Sequence, residues 1–509
     1  MDVLLVNAAV KDINRHAGLE PPLGLAYIAS VLRVNGYDVS AVDFNITGFN
    51  PIVLQGIIKI DNPPILGISA NTETFPNAVK IADIAKQVNP KITVVIGGPH
   101  TTVLYGEAVR KKSIDIVVRG EGEYTMLELV SSIIGKKNNP AGAETAAGPV
   151  PAAAKTTPDI TSEENISTGT ETAAGPVPAA AKTTPATANE ENVLAGIKGI
   201  AYWDGKVKTT PERPFIENLD ELPYPARDLF PLPLYNEEPF SILMTRGGCP
   251  FKCQFCAVNA VWKGKRRSRS PESVVKEVQF LYEHFYPDEF SFADDTFTLD
   301  RQQIIELCGL LKELKKSLPL HWTCATRVDL VDRELLKELY EAGCQAVHYG
   351  IEAGSQKILD TIGKRITLEQ IRDAVRATLD IGMKVLCSFM FPHPLDTVET
   401  VREQKQLMKE LLDMGAAEIL AFTTPFPGTY LFRNAEPDDA DDDPDADELG
   451  IRIMANNWDE YDAKHLIITT KYLSEEKLNS LFQEIVQDVG LTNEDLQGSG
   501  GKLKGSKKG

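Results

Sequence analysis

Apolar positions along the chain fall into two rhythms separated by a stretch that has neither. Over residues 1–135 short apolar runs recur: Val3-Leu-Leu-Val-Asn7, Tyr37-Asp-Val-Ser-Ala-Val-Asp-Phe44, Pro64-Ile-Leu-Gly-Ile-Ser69, Ile92-Thr-Val-Val-Ile-Gly97 and Ile114-Asp-Ile-Val-Val118. Runs of this length read as strands, and the apolar spacing between them, as over residues 22–36, reads as helix. Strand and helix alternating in this way predict a doubly wound parallel sheet. Ligands of such sheets bind beyond the C-terminal strand ends. Those ends carry Ser69-Ala-Asn71, Gly97-Gly-Pro-His100 and Gly120-Glu-Gly-Glu123, so glycines and small polar residues border one crevice.

The second rhythm runs over residues 241–425, with strand patterns at 241–245, 289–293, 321–326, 346–351, 384–391 and 418–423, and amphipathic helical spacing between them. Ser270-Pro271 and Thr367-Leu-Glu-Gln370 start helices as an N-cap with first-turn proline and as a capping box. Gly343, Gly382 and Gly415 stop helices before the next strand. Six strand-helix units predict an open (β/α)6 barrel with its site at the C-terminal strand ends. Between the two rhythms, residues 136–193 carry a segment from Glu144 to Pro158 that recurs identically from Glu171 to Pro185; rich in Ala, Pro and Thr, it is expected to be a disordered insert. Residues 194–240 read as a hairpin turning at Asp204-Gly205, then a proline-rich connector, together bridging the two domains. Residues 426–497 read as a C-terminal cap region holding an acidic run at 436–448, and residues 498–509 as a disordered Gly/Lys tail.

Composition narrows the function classes. Of 509 residues, 72 are acidic and 53 basic, a formal charge of −19 that argues against nucleic acid as a general partner, since phosphate binding rests on clustered Lys and Arg. No apolar run reaches the roughly 20 residues of a membrane span, and the N-terminus enters a strand pattern directly, with no targeting signal read there. The chain is expected to be cytoplasmic, which its cysteine usage suits. Of seven cysteines, Cys308, Cys324, Cys344 and Cys387 stand singly in apolar segments, as core residues do, and no disulfide framework is legible.

The remaining three lie together in Arg246-Gly-Gly-Cys249-Pro-Phe-Lys-Cys253-Gln-Phe-Cys256, after the first barrel strand. Three thiolates this close read as a metal loop. An iron-sulfur cubane takes four ligands, so three cysteines would leave one iron open to bind a small molecule. The alternative on spacing alone is a zinc site completed by a distant His or Cys. Other polar residues expected at the same rim are Asp294 and Asp295, Arg327 and Asp329, Glu352 and Ser388. Each has a bland account as well: rim carboxylates cap helices, and Arg327 can pair with Asp329 on a surface.

The cysteine loop with Phe255 before its last cysteine, Phe292-Ala-Asp-Asp-Thr-Phe297, Thr326-Arg-Val-Asp329 and Tyr349-Gly-Ile-Glu-Ala-Gly354 together resemble the radical S-adenosylmethionine (SAM) superfamily. The resemblance implies a 4Fe-4S cluster on Cys249, Cys253 and Cys256, with SAM on the open iron and Phe255, Asp295, Arg327, Glu352 and Ser388 holding SAM. Pro21-Pro-Leu-Gly-Leu-Ala-Tyr27, Gly97-Gly-Pro-His100 and Gly120-Glu-Gly-Glu123 resemble the cobalamin-binding domain, flavodoxin-like in fold, at the N-terminus of one class of these enzymes. Ser69, Gly97, Gly98, Pro99, His100, Gly120, Glu121 and Gly122 are then the cobalamin-binding candidates. Two departures stand out. The Asp-x-His-x-x-Gly signature of the methionine-synthase type is missing, which implies a cobalamin lower face without a protein His. Phe391-Pro-His-Pro-Leu-Asp-Thr397 stands where many relatives carry Gly-x-Pro-Gly-Glu, so His393 either faces the substrate or shapes the loop.

The resemblance implies reductive cleavage of SAM to a 5′-deoxyadenosyl radical and, through methylcobalamin, methylation of an unactivated carbon on a small-molecule or lipid-like substrate, with ferredoxin or flavodoxin as reductant. The alternatives are a cobalamin-associated cyclase, oxidase or rearrangement enzyme, or a non-enzymatic corrinoid sensor or carrier. A methylthiotransferase is disfavoured, because residues 1–248 hold no cysteine for a second cluster.

Overall fold

The computed structural model of the chain describes residues 1–10, 20–135, 193–235, 240–437, 449–492 and 496. The duplicated insert up to residue 192, the acidic run beyond Pro437 and the Gly/Lys tail lie outside the described residues.

The first rhythm folds as expected: β1 (Val3–Asn7), β2 (Val39–Asp43), β3 (Ile65–Ser69), β4 (Thr93–Gly97) and β5 (Ile116–Val118) pair in parallel in the order β2-β1-β3-β4-β5. The runs are nearly continuous in apolar character because helices cover both faces. Leu25 and Leu32 meet Met126 and Leu129 on one side, and Leu54 and Ile58 join Ala78 and Ile81 on the other. The hairpin forms as β6 (Ile200–Trp203) and β7 (Val207–Thr209). It does not stand apart as a bridge, because β6 pairs antiparallel with β5 and so extends the first sheet to seven strands.

The second domain holds β8 (Ser241–Ile242), β9 (Thr245–Gly247), β10 (Arg266–Ser268), β11 (Phe290–Phe292), β12 (Trp322–Thr326), β13 (Cys344–Glu352), β14 (Lys384–Phe391) and β15 (Ala417–Phe422). Six of these form one parallel sheet, β15-β14-β13-β12-β11-β8, the open (β/α)6 barrel. Along β13, Val347, Tyr349 and Ile351 bury outward with the helices, Tyr349 hydroxyl meeting Thr378 Oγ1 at 2.8 Å. Strand alternation therefore turns His348, Gly350 and Glu352 inward. The Thr367/Gln370 capping box forms, Gln370 N donating to Thr367 Oγ1 at 3.1 Å and Thr367 N to Gln370 Oε1 at 2.8 Å.

The expected first strand splits in two. Buried Asp294 accepts from Met244 N (3.1 Å), Thr245 N (2.7 Å) and the Thr245 hydroxyl. Those amides leave the ladder, β8 stops at Ile242, and the chain turns into β9, which pairs antiparallel with β10. The cysteine loop is thus carried by a hairpin standing on the barrel rim. C-terminal strands β16 (Glu436–Pro437), β17 (Ile451–Ile453) and β18 (Ile468–Thr470) form a small sheet. The helix Glu475–Val489, capped by Ser474, buries Leu478, Leu481 and Ile485 in the barrel core. Among the described residues no helix is long and apolar enough to cross a membrane.

Candidate functional site

The base of the cysteine hairpin explains the Gly-Gly before Cys249. Gly247 lies at φ 109°, and a Cβ there would sit 1.9 Å from Lys265 O; one on Gly248 would sit 2.3 Å from Gly264 Cα. Only side-chain-free backbones cross this closely. Beyond the crossing, Cys249 Sγ lies 3.6 Å from Thr296 Oγ1 and Cys253 Sγ 3.9 Å from Gly363 O. Gln254 ties the loop down, its N–H donating to Ile362 O (3.0 Å) and its carbonyl accepting from Leu431 N (3.2 Å). All three cysteines are half-buried, whereas Cys308, Cys324, Cys344 and Cys387 are fully buried in the barrel core.

Burial pushes the Cys253 thiol up and the Cys256 thiol to about 11, and the charges of neighbouring cysteines act in the same direction. Thiols gathered in this way become thiolates readily only when a cationic group binds them. Zinc requires its ligands around one ion at about 2.0–2.3 Å. Among the described residues no group of three or more His, Cys, Asp or Glu side chains is gathered to hold one. A cluster spreads its thiolates over separate irons, an arrangement that three cysteines on one loop fit.

The rim residues divide by environment. Asp294 belongs to the hairpin corner, and burial raises its carboxyl to about 6. Asp295 is exposed in the crevice by the cysteine loop, where partial desolvation raises its carboxyl and its charge bears on Cys256. Arg327 is buried: it binds Asp329 through two bonds (2.9 and 3.0 Å), donates to Lys364 O (2.7 Å) and stacks 3.7 Å from the centre of the Phe251 ring of the cysteine loop. Glu352, at φ 71°, pairs with Lys364 Nζ at 2.9 Å. Ser388 stands inward on β14, its hydroxyl 3.5 Å from Tyr349 O, and Phe255 is half-buried against the barrel core and the C-terminal cluster. His393 is buried with Nε2 2.9 Å from Glu352 O, while its N–H donates to Asp396 (2.7 Å). Its other ring nitrogen, Nδ1, is buried without a partner.

Two inner residues carry no sequence signal. Lys364 reads as a lone lysine after a helix, yet it is 5% exposed and holds Glu352. His348 lies on an apolar strand, but it turns into the barrel with Nε2 buried and unpartnered, and burial lowers its pKa.

The N-terminal candidates converge on the same side. Ser69 ends β3, Gly97 ends β4 against Val118, and Gly122 packs on Ile28, while Gly120 borders open space. Gly98, at φ 114°, is required by close packing: a Cβ there would meet Ala70 O at 2.3 Å. Pro99 and His100 open the next helical turn and line a cavity of about 260 Å³ with Asn71, Thr72 and Glu73. Its opposite walls are Ala257 and Val261, just beyond Cys256, and Phe426, Pro427, Tyr461 and Asp462 of the C-terminal region. This is at the small end for ligand pockets, so it would hold only part of a corrinoid, the rest lying along the strand-end loops. His100 is 1% exposed, stacked on Phe75 at 4.3 Å and edge-on to Trp458 at 5.1 Å, with both ring nitrogens unpartnered. Burial holds it neutral, its pKa lowered to about 4. Glu121 is engaged: its carboxylate binds Arg267 at 2.8 and 3.0 Å and accepts from Ile216 N at 2.7 Å.

A three-cysteine loop on the rim of a six-unit parallel barrel, with a doubly wound domain closing a cavity beside it, defines a radical SAM enzyme with a corrinoid-type domain. Family models agree: residues 244–408 match the radical SAM superfamily and residues 12–130 the B12 binding domain. The chain belongs to the radical SAM superfamily, among its members that carry a B12 binding domain. It is 32% identical over 492 residues to an uncharacterised methyltransferase of Pyrococcus horikoshii, covering 95% of this chain and 91% of that protein. It is 30% identical over 456 residues to the anaerobic magnesium-protoporphyrin IX monomethyl ester cyclase of Rubrivivax gelatinosus, covering 87% of this chain and 69% of that one. Among solved structures, the radical SAM methyltransferase TsrM of Kitasatospora setae, with cobalamin and a [4Fe-4S] cluster bound, shares the fold at TM-score 0.66 and 17% identity, covering 97% of this chain and 92% of that one.

Proposed function

We propose that this enzyme uses cobalamin to methylate an unactivated carbon of a small-molecule or lipid-like substrate, drawing electrons from a ferredoxin or flavodoxin in the cytoplasm. The observation that carries this reading is the cavity whose walls are the strand-end loops of the B12 binding domain and the helix that follows Cys256 directly. A methyl carrier and a SAM-cleaving centre are useful together only when a substrate can reach both. Bound there, the two cofactors supply one-electron reduction of SAM and carriage of a methyl group.

In this reading Cys249, Cys253 and Cys256 hold the cluster. Asp295, Glu352, Ser388 and Phe255 face SAM, Glu352 being oriented by Lys364 and by the His393 contact to its carbonyl. Arg327 supports the cysteine loop by stacking on Phe251, with Nε and Nη2 held by Asp329 and Lys364 O. Ser69, Gly97, Pro99, His100 and Gly120 border the corrinoid, with Gly98 and Gly122 shaping their loops. His100, neutral and boxed in by Phe75 and Trp458, serves as an apolar wall. The C-terminal residues Tyr461 and Phe426 help exclude water from the cavity.

Likeness to a cyclase over most of the chain favours a second reading, in which no methyl leaves SAM. Methyl-labelled SAM, supplied with reductant and a candidate substrate to the reconstituted enzyme, separates the two. Label in the product is expected; deoxyadenosine formed with an altered but unlabelled product would overturn methyl transfer.

A further inference from the structure

Arg246 on β9 and Arg267 on β10 lie directly opposite each other in the hairpin that carries the cysteine loop. Like charges opposed across a two-strand ladder repel, and the cost rises with burial. Arg246 is 8% exposed. Its guanidinium is neutralised by the N-terminal domain, at 2.5 Å from Glu123 and 3.7 Å from Glu121, and stacks 4.4 Å from the Tyr27 ring centroid. Arg267 binds Glu121 and donates to Ile216 O at 2.7 Å. Both glutamates are nearly fully buried and belong to Gly120-Glu-Gly-Glu123, whose Gly120 borders open space after β5.

We propose that Glu121 and Glu123 are positioning residues that couple the two cofactor sites. The glutamates neutralise the two arginines that the hairpin register sets face to face, and they sit on the loop that frames the corrinoid crevice. Ordering either end of this four-residue clasp therefore orders the other, so that a loaded cysteine loop tightens cobalamin binding and the reverse. This rests on the reading of the cysteine loop as the cluster site and of the strand-end loops as the cobalamin site.

The test is the affinity for hydroxocobalamin, followed by absorbance under anaerobic conditions, for full-length protein with and without reconstituted iron and sulfide. Wild type is expected to bind at least about fivefold more tightly when iron-loaded, the low end of typical coupling between sites. In Glu123→Gln the ratio is expected to fall towards one, while the affinity of the iron-free protein and the iron content stay as in wild type. Arg267→Gln, which opens the clasp from the barrel side and leaves Arg246–Glu123 intact, is expected to do the same, and serves if Glu123→Gln does not fold. An iron-loaded wild type with a ratio of one, or a variant that keeps the wild-type ratio, would overturn the clasp alone. A wild type that holds no iron would overturn the underlying cluster reading and the clasp with it.

Discussion

Single side chains at this site are set by what surrounds them more than by what they are. His100 is neutral because burial lowers its pKa to about 4, with nearby Lys111 adding to the effect. The unfolded chain therefore takes up a proton near pH 6.5 that the folded chain refuses until about 4, and stability falls as pH drops through that window. At about 1.36 kcal/mol per pH unit, the cost on reaching pH 4 is about 3 kcal/mol. His100→Phe should abolish this part of the acid sensitivity, seen as a smaller difference between chemical denaturation midpoints at pH 8 and pH 5. Asp294 has the opposite sign. Its carboxyl is raised to about 6, so its contribution is greatest below its ordinary value near 4 and is lost as pH rises through 6. Asp294→Asn at pH 7.5 should still destabilise, by about 1–3 kcal/mol, because an amide NH2 would face backbone donors at Met244 and Thr245. Thermal unfolding checks it, and an unchanged midpoint would mean that the corner does not depend on the carboxylate.

Adjacent Asp294 and Asp295 also mark how far a sequence reads at this scale. Both were legible as rim residues, but which one faces the crevice depends on the β8 corner. The bland reading pairs Arg327 with Asp329 on a surface; the pair forms, but with Arg327 buried and stacked on Phe251. His348 and Lys364 were not legible, because a lone polar residue in an apolar strand or loop shows nothing of what it faces.

Elements carried most of what the sequence could reveal. Twelve-residue stretches with apolar spacing became helices such as Leu23–Val34, and all six barrel strands formed near their expected places. The hairpin β9/β10 was hidden, since its cause is a carboxylate some fifty positions away in sequence. Its Gly-Gly base is the more stringent test. Gly248→Ala would force a Cβ into Gly264 backbone, with no flexible side chain to yield. The expected outcome is loss of most bound iron while far-UV circular dichroism stays near wild type. Full iron retention would mean that the strands part freely at the crossing.

At the scale of the whole molecule the two domains meet through contacts that are distant in sequence: Glu121 and Glu123 with the cysteine hairpin, and Trp458 Nε1 with Glu107 at 3.2 Å. Charge composition foretold none of them, because a net −19 says nothing about which few charges are buried in pairs. The central claim is that the cysteine loop holds a cluster with one iron left for SAM, next to a cobalamin site. The most direct measurement is electron paramagnetic resonance of the anaerobically reconstituted, reduced protein, titrated with SAM, in wild type and Cys253→Ala. The expected result is a 4Fe-4S signal that changes on adding SAM in wild type and is lost in Cys253→Ala, whose hydroxocobalamin binding matches iron-free wild type. A wild-type signal indifferent to SAM, or an equally intense and SAM-responsive signal in Cys253→Ala, would contradict it.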